Sequence, residues 1–222
     1  MLVHTDEKVP IARLLMFLEH GERLAHTCAK TQAALVDEPG QRRFLLSQAR
    51  QEAMHAMVFK GAIAWLAPRY LGDTPVLRAL EDYRRRLFDA LDRKDLIETL
   101  LAEQVILEGL GEAILTRIEA GLVKRAAPYG RLRRILLHQE ESHHQFGRRM
   151  LERAIGEGKT DAAALRRHAD DYLELTERMV LALRDLFESI NEDPAAWAAD
   201  VRTFLPPWLS DDRMGDRHRE GA

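Results

Sequence analysis

Two four-residue segments, Glu52-Ala53-Met54-His55 and Glu140-Glu141-Ser142-His143, repeat the pattern Glu-x-x-His 88 residues apart. On a helix, a Glu and a His three positions apart lie one above the other on one face. Each pair offers a cation one carboxylate oxygen and one imidazole nitrogen. Two such pairs, with one further Glu from each of two other helices, form the ligand set of a carboxylate-bridged dinuclear metal site inside a helical bundle. A single Glu-x-x-His is expected about once by chance in a charged chain of this size. The pattern therefore gains meaning only if two more inward glutamates stand at the same height.

The elements that must position these residues are helical. Strand signals are almost absent, and Gly and Pro cluster at breaks. The periodicity predicts helices over 10–36, 41–66, 74–91, 94–120, 128–155 and 161–190, with a short one from Pro194. Thr74 reads as an N-cap before Pro75, Gly121 as a stop, and Pro128 as a first-turn residue. The fold class is all-α: two long hairpins, 10–66 and 94–155, joined by a crossover segment with its own helix, and extra C-terminal helices. Residues 1–209 are expected to form one domain. In it, 204–209 lies over the bundle with Trp208 as anchor, and 210–222 is a charged, disordered tail.

Apolar stripes with alternating steps of three and four decide which residues point inward. In the second helix the stripe is Leu45, Gln48, Glu52, His55, Phe59, Ala62 and Leu66. In the first it is Ile11, Leu15, Leu18, Glu22, Ala25, Ala29 and Val36, with Glu19 off it. In the third it passes through Ile97, Leu101, Gln104, Glu108, Gly111, Leu115 and Ile118, leaving Glu98, Glu103 and Glu119 aside. In the fourth, Glu141/His144 competes with Glu140/His143. The stripe through Glu141 and His144 runs into Arg134 and Arg148, whose burial would be costly, so the ligands are assigned to Glu140 and His143. Height supplies a separate check. The midpoint of Glu22 and Glu52 is residue 37, in the first turn, and that of Glu108 and Glu140 is residue 124, in the second connection. Each inward Glu is thus level with its hairpin partner.

Four carboxylates at one level on apolar stripes repel unless cations stand between them. The metal ligands are therefore expected to be Glu22, Glu52, His55, Glu108, Glu140 and His143, with no catalytic residue identified beyond them. Carboxylate and imidazole donors without thiolate favour iron or manganese over structural zinc.

Composition excludes other classes. The net charge is −3 with both signs interspersed, so nucleic acid is not an expected partner. One cysteine, Cys28, precludes an intrachain disulfide and reads as a small buried hydrophobe. Residues 1–10 hold no apolar signal core and no run spans a bilayer. A cytoplasmic protein without stable membrane insertion is expected.

These residues resemble the ferritin-like di-iron carboxylate proteins. That group includes bacterioferritin-type ferroxidases, ribonucleotide reductase small subunits with their oxidase-like relatives, and bacterial di-iron oxygenases. The nearest resemblance is to the aldehyde-deformylating oxygenases, carried by Gly21-Glu22, by Leu107-Glu108 within 100–115, and by Glu140-x-x-His143-x-x-Phe146-Gly147. The resemblance implies a ferritin-like four-helix bundle and two irons, or one manganese and one iron. Glu52 and Glu140 would bridge, His55 and His143 would each cap one ion, and Glu22 and Glu108 would be terminal. It implies O2 activation to oxidise a small apolar or amphipathic substrate such as a fatty aldehyde or acyl chain. An external electron donor such as a ferredoxin would serve a monomer or homodimer. The alternative within the group is a ferroxidase or iron-storage protein. Two positions depart from the group. Phe59 stands where radical-storing reductase subunits have Tyr. Gln139 stands where an Asp often supports a ligand histidine, and an amide supplies no charge there. Gly111 and Gly147, one turn from ligands, leave open both a channel and close helix packing.

Overall fold

The computed structural model describes residues 8–69, 75–124, 130–189, 192–203 and 205–209, and these contain helices and turns but no strand. α1 (Lys8–Gln32) and α2 (Pro39–Leu66) form the first hairpin, and α3 (Pro75–Asp92) is the crossover. The third core helix is composite: α4 (Leu96–Leu100), a π-helical stretch (Leu101–Leu107) and α5 (Glu108–Lys124). The fourth is α6 (Gly130–Gly156), followed by α7 (Ala162–Leu181), α8 (Arg184–Ser189) and α9 (Pro194–Thr203). α1, α2, the composite helix and α6 make a ferritin-like four-helix bundle with one long crossover.

Local chemistry explains where boundaries differ from the periodicity. The first helix stops at Gln32, ahead of the expected residue 36, because 33–35 must turn the chain; Ala33 and Val36 still pack in the core. Glu38 then caps α2, its carboxylate accepting the Gly40 and Gln41 N–H groups at 2.7 and 2.6 Å, with Pro39 at the first helical position. Gly121 does not end α5, which runs on to Lys124. A glycine stops a helix when it takes a left-handed conformation, and among the described residues Gly158 does this (φ 68°) just beyond α6. The expected helix over 161–190 divides into α7 and α8 at a turn where Leu183 is buried. Arg166 Nη1 donates to the Trp208 carbonyl at 2.9 Å and Leu209 is buried, which holds 205–209 against the body. The expected Thr74 cap, the Pro128 start, Phe204 and the tail 210–222 lie outside the described residues.

The π-helical stretch has the largest consequence. Its wider turn places one residue more per repeat, so the Glu108 N–H donates to the Glu103 carbonyl five residues back. The Tyr83 hydroxyl, from the crossover helix, donates to the Ala102 carbonyl within this stretch. Every side chain from Leu101 to Leu107 is buried. α6 approaches closely here: a Cβ on Gly147 would lie 2.4 Å from Gln104 Cβ. Gly147 is therefore a packing glycine.

Candidate metal centre

Glu22 comes from α1, Glu52 and His55 from α2, Glu108 from the first position of α5, and Glu140 and His143 from α6. All six are buried in mid-bundle. They converge in two overlapping groups, Glu22/Glu52/His55/Glu140 and Glu52/Glu108/His143, each with one donor atom per residue within 4.8 Å of the others. His55 Nδ1 lies 3.3 Å from Glu22 Oε2, 3.2 Å from Glu52 Oε2 and 3.1 Å from Glu140 Oε1. His143 Nδ1 lies 2.8 Å from Glu52 Oε1 and 3.7 Å from Glu108 Oε2. Glu52 thus turns one oxygen to each histidine and belongs to both groups. Glu140, its counterpart in the resemblance, stands in the first group alone.

Both imidazoles are held from behind by amides. His55 Nε2 donates to Gln139 Oε1 at 2.9 Å, and His143 Nε2 donates to Gln51 Oε1 at 2.8 Å. An Nε2–H committed to a carbonyl oxygen leaves the Nδ1 lone pair for a cation. The Gln139 position, lacking an acid, still orients its histidine. Gln51 is a support the stripes did not reveal, because it lies beside the stripe and reaches across to α6.

The electrostatics describe a site short of positive charge. Burial pushes Glu22 and Glu140 well above the ordinary carboxylate range, with Glu140 acting on Glu22 and Glu108 on Glu140. Burial opposes the charge on Glu52 too, but the close imidazoles of His143 and His55 outweigh it and hold Glu52 low. Burial would depress His143, yet Glu108 and Glu52 push it up to about 10. His55 is likewise raised against its burial, by Glu140, Glu22 and Glu52. Without another cation, the two imidazoles are the positive charges of this cluster. Both oxygens of Glu52, Glu140 Oε1 and His143 Nδ1 are buried and have no hydrogen-bond partner. Contacts at ion-pair distance but off the hydrogen-bond direction mean that the lone pairs converge on common points. Two divalent cations would satisfy them and balance four carboxylates, so the donor set fits a metal pair.

A fifth carboxylate lies beside the cluster. Glu103, which a regular helical period places off the stripe, is fully buried because the π-helical stretch turns it inward. Gln48 Nε2 donates to both Glu103 Oε1 (3.1 Å) and Glu108 Oε1 (2.8 Å). Gln48 Oε1 in turn accepts from Gln104 Nε2 at 3.4 Å, and Gln104 exchanges two hydrogen bonds with the Gln32 amide at 3.0 and 2.6 Å. This buried amide chain fixes which end of Gln48 faces the carboxylates. Burial and the neighbouring Glu108 push Glu103 well above the ordinary range. Its five-residue spacing from Glu108 is the trace the sequence carried. Glu19 and Glu98, also off the stripes, are buried for other reasons. Glu19 pairs with Arg23 at 2.6 Å. Glu98, covered by α7, meets Arg93 at 2.6 Å and the Tyr172 hydroxyl at 3.0 Å.

The competing pair separates. His144 is buried and bonded through Nδ1 to Glu112 at 2.8 Å, while Glu141 is exposed. Cys28 is buried, as expected, and burial pushes its thiol up.

A cavity of about 530 Å³ reaches His143 past Gln51, Gln139 and Arg134, and two smaller ones lie on the other side. One, of about 40 Å³, is lined by Glu22, Glu108 and Glu140 and by apolar groups including Phe17, Leu18 and Gly111. A Cβ on Gly111 would sit 3.6 Å from Glu140 Oε2, an ordinary contact, so this glycine leaves space. The second, of about 220 Å³, is almost wholly apolar and lies among Leu15, Phe59, Ala62, Leu115 and Leu136. Leu18 lines both.

No protein-family model matches the chain, and no curated protein is similar to it. Among solved structures, it is similar to a protein with aldehyde deformylating oxidase activity from Synechococcus. The TM-score is 0.78 at 19% identity, covering 100% of this chain and 99% of that one. At this identity the match establishes a shared ferritin-like fold over the full length.

Proposed function

We propose that this chain is a dinuclear, O2-activating oxidase or oxygenase that acts on an alkyl-chain substrate such as a fatty aldehyde or acyl chain. The observation that carries the reading is the juxtaposition of the buried Glu/His cluster, a cavity of about 40 Å³ beside it and an apolar chamber of about 220 Å³ meeting that cavity at Leu18. The small cavity holds little more than one molecule the size of water or O2. The chamber suits an alkyl chain, whose burial there is favourable at roughly 0.8 kcal/mol per methylene.

Two irons, or one manganese and one iron, would be held by Glu22, Glu52, His55, Glu108, Glu140 and His143; such a pair supplies two electrons to O2 together. The protein's own part is positioning and exclusion. Gln139 and Gln51 aim the imidazoles, Gln48 aims Glu108, and Phe17, Leu18 and Phe59 keep water away from the reacting carbon. Electrons come from an external donor such as a ferredoxin. A cytoplasmic monomer or homodimer is the expected form.

The test is anaerobic loading with two equivalents of Fe(II), followed by exposure to O2 with and without a long-chain aldehyde. Substrate-dependent O2 consumption with a shortened or oxidised alkyl product is expected. Iron mineralised inside a multi-subunit shell, at a rate indifferent to alkyl substrates, would instead establish the ferroxidase reading. The lining of the larger chamber, apolar apart from the paired Glu119 and Arg133, favours the former, since an iron route requires free acidic groups along it.

A further inference from the structure

The apolar chamber opens at one end of the bundle, where the C-terminal halves of α2 and α5 meet the start of α6. Described residues from two parts of the chain contribute to that end, 53–69 and the flanks 120–124 and 130–139 of the α5–α6 connection. They include no Asp or Glu, although the chain has 36 of them, and six Lys and Arg, in a chain of net charge −3. Lys60, Arg69, Lys124, Arg131 and Arg134 are exposed, while Arg133 is committed to Glu119 at 2.6 Å.

The same end exposes large apolar side chains: Trp65 at 76%, Val123 at 61%, Leu132 at 56%, Ile135 at 47% and Val58 at 45%. Val123, Leu132 and Ile135 each adjoin a cation in the chain. Val58 and Leu132 also line the chamber, so this surface is its rim. Single exposed apolar residues are ordinary; a set of them at the end where an apolar chamber opens, interspersed with cations and with the chamber's one lining carboxylate, Glu119, already paired with Arg133, calls for a partner.

We infer that this end of the bundle docks on an anionic lipid surface, from which an alkyl-chain substrate passes into the chamber. Arg and Lys would meet headgroup phosphates, the chamber's one carboxylate, Glu119, being neutralised by Arg133, while Trp65 and Leu132 reach the acyl boundary. The contact is peripheral, since among the described residues no helix is long and apolar enough to cross a membrane. A second copy of the chain seated here would seal the mouth. An acidic protein would match the cations but leave the apolar rim unexplained. Substrate delivery rests on the proposed oxygenase reading; adsorption itself does not.

The test is co-sedimentation of the metal-loaded full chain with phosphatidylcholine vesicles, with and without phosphatidylglycerol. Binding to the anionic vesicles alone, weakened by salt, is expected. Arg131→Glu/Arg134→Glu lowers the partition coefficient on the order of 100-fold, and Trp65→Ser lowers it roughly tenfold. Absence of binding to either vesicle, equal binding to both, or a dimer in sedimentation equilibrium that Trp65→Ser dissociates would each overturn the proposal. O2 consumption with a short, water-soluble aldehyde, measured separately, reports on the oxygenase reading, so the two fail independently.

Discussion

The two halves of the bundle on either side of the carboxylates are built to opposite purposes. Toward the α1–α2 turn, Gln32, Gln48, Glu103 and Gln104 are all at most 1% exposed, joined by side-chain hydrogen bonds and closed over by α6 at Gly147. Toward the α5–α6 connection, the interior is an apolar chamber whose one polar pair is Glu119 with Arg133, and its rim is exposed. One half holds ligand geometry by a chain of buried polar contacts; the other leaves room by having few. The difference teaches that a preorganised site and an accessible one are divided between regions of the same four helices.

Glu52 lies on the boundary, and its loss should have the largest effect. As the member common to both groups, Glu52→Gln is expected to weaken binding of both metals on the order of 100-fold or more. Retention of one tight equivalent in a metal assay would mean that the groups are independent. Next, Gln48→Leu at the closed half removes the donor shared by Glu103 and Glu108, and should cost roughly 10–100-fold in affinity for one metal. Leu132→Ser at the open half should leave metal titrations unchanged. Equal effects from the two would mean that both halves support the ligands alike.

The two glycines sharpen the comparison on stability. Gly147→Ala drives a Cβ against Gln104 and should destabilise by about 1–3 kcal/mol, read as a lowered Tm. Gly111→Ala meets only an ordinary contact and should stabilise by up to about 1 kcal/mol through helix propensity, while slowing turnover by filling the cavity. A smaller and more gradual effect concerns pH in the metal-free protein. His143 is raised from 6.5 to about 10, so its stabilising contribution is complete below 6.5 and lost as pH rises through about 10. Glu22, Glu103 and Glu140 are also raised, so the folded state binds more protons than the unfolded one and these groups too make stability fall as pH rises. Glu52, lowered, acts in the opposite sense. Thermal melts between pH 6.5 and 10 should show declining stability without metal and a larger increment on metal addition at the upper end. A flat metal-free profile would indicate that the histidines are not the cluster's internal cations.

The sequence by itself determined the helical bundle and the convergence of Glu22, Glu52, His55, Glu108, Glu140 and His143 at one level. Both follow from the 3.6-residue repeat: a face is a local property of a helix, and equal distance from a turn makes residues level in a hairpin. Tertiary structure alone decided the rest. Glu103 faces the carboxylates because a π-helical stretch breaks the repeat on which stripe assignment depends. Glu98 is buried because α7 covers a second face of its helix. Gln51 and Gln139 reach histidines on opposite helices, and the chamber is a gap between helices that carry it nowhere in their own patterns. Such contacts depend on how helices are set against one another, and spacing along a single helix does not record that.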